Sequence, residues 1–290
     1  MLIGGELVAT QTDDQIRLHG FFLPSTSTPQ TDIDAALFTH AVAGNYYNSR
    51  FLNRLASSVH DLGINVLLGN NRGHDVINYL SAAKTRRTVG AAYEIVSDCQ
   101  LDLSSWIGLL RQRGFRRILV AGHSLGAIKV LFAQAHKPQK EVVGLATFSA
   151  SRLCYKNFVE SSNKDRFLKW LNRAKEFQST GDGDQLMDVD FPFPVLISAN
   201  TYVDKYDSTD NYNWLKYIVK IDVPALLAFG ARELDENSAF QGIIEQFVAL
   251  GLSEKQFFVS TIANANHYYS GCQQDAADEL CRWIKTTFPK

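Results

Sequence analysis

The sequence predicts an α/β protein, with a mostly parallel central sheet and helices on both of its faces. Three observations carry this prediction. Short apolar runs of strand length alternate with longer stretches of helical periodicity along most of the 290 residues. A glycine-bounded serine, Gly122-His123-Ser124-Leu125-Gly126, falls at one strand-to-helix junction. Residues 151–222 then break the alternation between two strands that a short crossover should join.

Taken in order, residues 6–23 alternate polar and apolar around Thr12-Asp13-Asp14, which predicts an antiparallel hairpin at a sheet edge. Ser25 to Asp34 is rich in Ser, Thr and Pro and reads as a loop. Strands follow at Ala35–Ala41, Asn65–Gly69, Arg117–Gly122, Val142–Phe148, Val223–Phe229 and Gln256–Ile262. Helices are expected at Ser49–Leu62, Tyr93–Arg113, Leu125–His136, Ala239–Leu250 and Asp275–Lys285. The interrupting stretch contains an amphipathic segment, Phe158–Phe177, a Gly181-Asp182-Gly183-Asp184 turn, a Phe191-Pro192-Phe193-Pro194 run, and then Tyr202, Tyr206, Tyr212, Trp214 and Tyr217. We read 1–150 and 222–290 as the α/β core, and 151–221 as a helical cap over the C-terminal edge of the sheet, where open α/β sheets bind ligands.

Composition bounds the function. Hydrophobic residues are 46%, charged residues 20% and the formal net charge is −1, which calls for neither nucleic acid nor an anionic membrane. The longest apolar runs, such as Val223 to Gly230, are too short to cross a bilayer. Met1 to Glu6 lacks the basic start of a signal peptide. Cys99, Cys154, Cys272 and Cys281 show no CxxC pair, and no histidine cluster has zinc spacing. Reduced thiols, no metal and a cytoplasmic location are the expectation.

The chemistry centres on Ser124. A strand, a tight glycine-flanked turn and a helix are the setting of a nucleophile elbow. The turn is too cramped for a Cβ at its flanks, and it lifts the serine hydroxyl above the sheet. It also leaves the Leu125 amide at a helix N-terminus, where it can donate to an oxyanion. A serine hydroxyl needs a base. Of the seven histidines, His267 alone lies after the last strand and before the C-terminal helix.

With these residues, the chain resembles the α/β-hydrolase superfamily over nearly its whole length, from His40 through the elbow to His267. The segments His40–Asn45 with Tyr46-Tyr47, Asn70–His74, Gly90–Glu94 and Ser198–Tyr206 are similar to a bacterial branch of serine hydrolases related to fungal siderophore ester hydrolases. The resemblance implies the order serine, acid, histidine. It places the acid after the strand Val223–Phe229, where Glu233 is favoured and Asp235 is the alternative. It also implies a second oxyanion donor, the Val42 amide, in a loop where Ala41 and Ala43 replace the usual glycines.

His40, Tyr202, Tyr206 and Tyr268 are candidates for substrate contact, although for His40 a brace of its loop is the preferred reading. Asp204 and Lys205 suit either substrate contact or a surface ion pair. The implied activity is that of a serine hydrolase. It would cleave an ester, thioester or lactone of a small, partly apolar molecule, free or on a carrier protein, with no cofactor. Acyl transfer or cyclisation on the same scaffold, or ligand binding without catalysis, are the alternatives.

Overall fold

A computed structural model describes residues 4–83 and 85–290; Met1–Ile3, where the leader-peptide reading begins, lie outside the described residues. The predicted edge hairpin forms from β1 (Glu6–Gln11) and β2 (Arg17–Leu23). Next come β3 (Ala35–Thr39), α1 (Arg50–His60) and β4 (Asn65–Gly69). Ser49 caps α1 by accepting from the Leu52 amide at 3.2 Å. A second hairpin, β5 (Asn78–Ala82) with β6 (Thr85–Val89), was not legible, because its strands are mostly exposed and carry no apolar alternation.

The rest of the core is α2 (Cys99–Gln112), β7 (Ile118–His123), α3 (Leu125–His136) and β8 (Val142–Phe148). The interrupting segment contributes α4 (Tyr155–Glu160), α5 (Lys164–Ser179), the hairpin β9 (Leu186–Val189) and β10 (Val195–Ser198), and α6 (Ala199–Tyr206). It is therefore not purely helical as expected. The chain returns through β11 (Ala225–Gly230), α7 (Ala231–Glu236), α8 (Ile243–Val248), β12 (Phe257–Ile262) and α9 (Gln273–Thr287).

Eight strands form one sheet in the order β1-β2-β4-β3-β7-β8-β11-β12. From β4 to β12 every neighbouring pair is parallel, and only the β1–β2 and β2–β4 pairs are antiparallel. Because side chains alternate along a strand, the sheet buries two separate apolar faces. Leu37, Val120 and Leu227 pack with α2, α3 and the inserted segment. Phe38, Leu119, Ala121 and Leu226 pack against α1 and α9. Phe158, Phe167, Tyr202 and Tyr206 of the insertion belong to the same buried cluster as α3, so the insertion is continuous with the core.

Two predicted helices are shorter than expected, for physical reasons. The one expected from Tyr93 begins only at Cys99, behind a short 3₁₀ turn, Val96–Asp98. The amides of Val96 and Ser97 are taken by Asp204 and by the Tyr212 hydroxyl, at 2.9 and 3.0 Å. The one expected from Ala239 begins after Gly242, whose φ of 64° is left-handed and cannot continue a right-handed helix.

Candidate active site

Ser124 stands between β7 and α3 with φ 56° and ψ −122°, a region that costs a side-chain-bearing residue about 1–3 kcal/mol. Two glycines make the turn possible. A Cβ on Gly122 would lie 2.4 Å from the Gly126 carbonyl oxygen, and one on Gly126 would lie 2.5 Å from that of His40. The Ser124 amide donates to the Phe148 carbonyl at 2.8 Å, anchoring the elbow to β8. The residue is only 8% exposed.

His267, from the loop after β12, brings Nε2 to 2.9 Å from Ser124 Oγ. Its Nδ1 lies 2.8 Å from Glu233 Oε2. A carboxylate only accepts, so Nδ1–H donates to Glu233 and Nε2 accepts from the serine hydroxyl. Glu233 sits in the first turn of α7 and reaches back, so that Oε1 accepts from the Gly230 amide at 2.7 Å. A side chain at Gly230 would meet the Ala265 carbonyl oxygen at 2.5 Å, which keeps the end of β11 tight against the histidine loop. Asp235 is exposed and turned away on the same helix. Glu233, not Asp235, meets the imidazole.

Three residues that sequence reasoning did not single out support this group. Ser149 Oγ donates to Glu233 Oε1 at 2.6 Å. The Tyr269 hydroxyl lies 3.0 Å from Ser149 Oγ. His123 Nε2 donates to the His267 carbonyl at 2.7 Å. Burial, and then the charge of His267, press the pKa of His123 down to about 3, so it stays neutral. The available signal was position: Ser149 directly follows a strand at the same sheet edge as Ser124.

On the other side of Ser124, Leu125 opens α3, where no preceding helical carbonyl is placed to take its amide. Val42 is the second residue of a turn closed by the Gly44 amide on the Ala41 carbonyl at 3.0 Å. Ala43 holds the third position at φ 52°, so the methyl group strains the turn without preventing it. Of the two readings of His40, substrate contact and loop brace, the structure shows the preferred one, a buried brace. Its Nδ1 donates to the Ala41 carbonyl at 2.8 Å, and its Nε2 accepts from the Asn71 amide at 3.0 Å. Both ring nitrogens are occupied, and burial followed by the Lys129 charge lowers its pKa to about 3.

The tyrosines divide. Tyr202 and Tyr206 were also expected at the substrate, but both are buried inside the insertion. Tyr202 donates to the Phe191 carbonyl at 3.1 Å, and Tyr206 packs edge-on to Phe158 at 5.9 Å between ring centroids. Aromatic rings with no polar partner at the serine fill the core instead. Tyr268 is 69% exposed, with its ring 5.4 Å from that of His267.

Lys205 is not a surface residue either. It is buried, with Nζ 3.9 Å from Glu94 Oε2, and Glu94 is bound on its other side by Lys129 of α3. Burial alone would raise the Glu94 pKa, but the two lysines overcome it and hold the carboxyl below its usual value. Asp204 accepts from Val96 and Tyr212, as above.

All four cysteines are free thiols. Among the described residues, no cluster of three or more His, Cys, Asp or Glu side chains has the arrangement of a metal site. No helix among them is long and apolar enough to cross a membrane.

No family model matches the chain, and no curated protein matches it. Solved structures do. The α/β hydrolase GrgF from Penicillium sp. sh18 is 16% identical, with a TM-score of 0.72 and 99% of each chain covered. DcsB, solved in complex with its substrate analogue, is 14% identical at a TM-score of 0.71, covering 98% of this chain and 99% of that one. Est1E from Butyrivibrio proteoclasticus is 14% identical at 0.64, again covering 98% and 99%. The chain has the α/β-hydrolase fold.

Proposed function

We propose that this chain is a serine hydrolase that cleaves an ester, thioester or lactone of a small, partly apolar molecule through an acyl-enzyme. The observation that carries the reading is the unbroken relay from Ser124 Oγ to His267 Nε2 at 2.9 Å, and from His267 Nδ1 to Glu233 Oε2 at 2.8 Å. Its position on a strained elbow supports it further, as do structural neighbours that include the Pyrococcus furiosus esterase Pf2001 and an esterase domain from Rhodothermus marinus.

In this reading Ser124 Oγ attacks the substrate carbonyl carbon while His267 Nε2 takes its proton. The carbonyl electron pair moves to oxygen, where the Leu125 and Val42 amides donate to it. Glu233 keeps Nδ1–H aimed and stabilises the imidazolium. The tetrahedral intermediate collapses, and the departing alcohol or thiol leaves with the proton from His267. A water molecule deprotonated by His267 then attacks the acyl-serine, and the acid departs. The acyl donor is a free small molecule or one carried as a thioester on a carrier protein.

The near-closure of Ser124, 8% exposed, favours a second outcome on the same acyl-enzyme. An alcohol or amine held in the site would replace water, giving acyl transfer or cyclisation. A fluorophosphonate probe applied to wild type and Ser124→Ala, with short p-nitrophenyl esters and thioesters as substrates, tests both. Labelling of wild type only, with hydrolysis, is the expected result. Labelling without hydrolysis, but with transfer to an added amine or alcohol, selects the second outcome. A wild type that does not label leaves a ligand-binding protein.

A further inference from the structure

The mechanism just given leaves one buried hydroxyl beside the reacting groups without a role. Ser149 is the first residue after β8, fully buried, with φ 55°. Glycine would adopt this conformation more easily, yet the position carries a side chain. Its amide is satisfied by the Ala228 carbonyl at 2.8 Å. Its single hydroxyl proton has an acceptor at 2.6 Å, Glu233 Oε1. The Tyr269 hydroxyl lies 3.0 Å behind it and donates to Ser149 Oγ, with the Ala228 carbonyl farther away at 3.3 Å. Burial raises the Tyr269 pKa well above its usual value, so this phenol remains a donor.

Tyr269 lies two residues beyond His267 on the same loop, and its ring is stacked on Phe51 at 4.3 Å. The loop that presents the base thus also presents the last donor behind the acid. A glutamate has one more rotatable bond than an aspartate and needs more to hold it. Here the Gly230 amide and the Ser149 hydroxyl both fasten Oε1, which leaves Oε2 for His267.

We propose that Ser149, backed by Tyr269, is a positioning residue of this site: it fixes Glu233 in the rotamer that serves His267 and stabilises its ionised form. The proposal rests on the hydrolase reading of the site. The other titratable groups facing Glu233 and His267 are His123 from β7 and Tyr268 and Tyr269 from the histidine loop. Arg232, on the same helix as Glu233, turns outward to Glu236 at 3.0 Å.

The test uses the full chain and the variants Ser149→Ala, Ser149→Gly, Tyr269→Phe and Ser149→Ala/Tyr269→Phe. Two readouts are taken: the rate of fluorophosphonate labelling of Ser124 from pH 5 to 9, and the downfield proton resonance of His267 Nδ1–H on Glu233. Without its hydroxyl donor, the pair with neutral imidazole and ionised carboxylate loses more than its protonated form does. Ser149→Ala should therefore lower the plateau rate roughly 10-fold and move the acid limb up by about half to one pH unit, the differential worth of one charge-assisted hydrogen bond.

Ser149→Gly relieves the backbone and should reproduce the same profile, which separates the lost hydroxyl from a change in stability. Tyr269→Phe should move the limb in the same direction by less, and add nothing in the Ser149→Ala background, because it acts through that hydroxyl. A wild-type acid limb and an unshifted Nδ1–H resonance in both Ser149 variants would overturn the proposal. The resonance is read whether or not Ser124 reacts, so a wild type that fails to label sinks the hydrolase reading and still leaves Ser149 decided.

Discussion

Ser124 is flanked by two sets of loops built on different physical principles. On the side of β8, β11 and β12, side-chain hydrogen bonds fix the geometry. Each Glu233 oxygen has a donor, His267 is held at both ring nitrogens, and its carbonyl is held by His123. On the β3 side, backbone shape does the fixing. A turn with a left-handed Ala43 holds Val42, the proposed oxyanion donor, and is braced from behind by His40 and Asn71. The strained residues fall on both sides: Ala43, Ser124, Ser149, Asn264 and Tyr269 all have positive φ and all follow sheet strands at this edge. The lesson is that the first half is vulnerable to loss of single polar atoms, and the second to changes in backbone preference.

The largest effects should come from breaking the hydrogen-bonded half. Glu233→Gln keeps the shape but offers an amide to His267, so kcat on a p-nitrophenyl ester should fall about 10³- to 10⁴-fold, the scale of losing the orienting acid. Asp235→Asn, on an exposed position of the same helix, should change it less than about twofold. The reverse pattern would show that the 2.8 Å contact between Glu233 and His267 is not the working one.

The backbone half calls for a backbone substitution. Proline suits the second position of a turn of this kind and has no N–H. Val42→Pro should therefore preserve the Ala41–Gly44 turn while deleting the proposed oxyanion donor. A fall in kcat of about 10²- to 10³-fold, with KM nearly unchanged and thermal stability kept, is expected. Retention of full activity by a folded Val42→Pro enzyme would remove Val42 from the mechanism. The Leu125 amide would then be left as the sole donor among those considered.

The difference between the halves also explains what the sequence revealed. The elbow was legible because its chemistry imposes glycine at Gly122 and Gly126, where a Cβ would strike backbone. The strand-helix alternation was legible because the parallel strands are apolar on both faces. Glu233 was favoured through the family resemblance, which places the acid just after the strand Val223–Phe229. Ser149 was not found, because a lone serine after a strand has no pattern, and its partner lies 84 residues away. Tyr202, Tyr206 and Lys205 were misjudged for a related reason: an aromatic or a lysine reads the same in sequence whether it faces substrate, solvent or a buried Glu94. The hairpin β5–β6 escaped because exposed strands lose the hydrophobic period.

The smallest effect sharpens the comparison through pH, since each half contains one buried, neutral histidine. His123 serves the hydrogen-bonded side and His40 the backbone side, and burial lowers both to a pKa of about 3. In the unfolded chain both return to about 6.5. Between those values the unfolded state binds a proton that the folded state does not. Stability is therefore greatest above pH 6.5 and is lost as pH falls toward 3, at up to about 1.4 kcal/mol per pH unit for each histidine.

Urea denaturation at pH 7 and pH 4.5 measures this. The loss between the two pH values should shrink by about 2–3 kcal/mol in His123→Gln and in His40→Gln, even though each variant starts less stable at pH 7. The variants should then differ in activity. Glutamine can still donate to the His267 carbonyl with one group, whereas His40 must donate to Ala41 and accept from Asn71 in a fixed ring geometry. His40→Gln should thus disturb the Val42 turn more than His123→Gln disturbs His267. Equal pH slopes in wild type and both variants would mean that neither imidazole is neutral by burial.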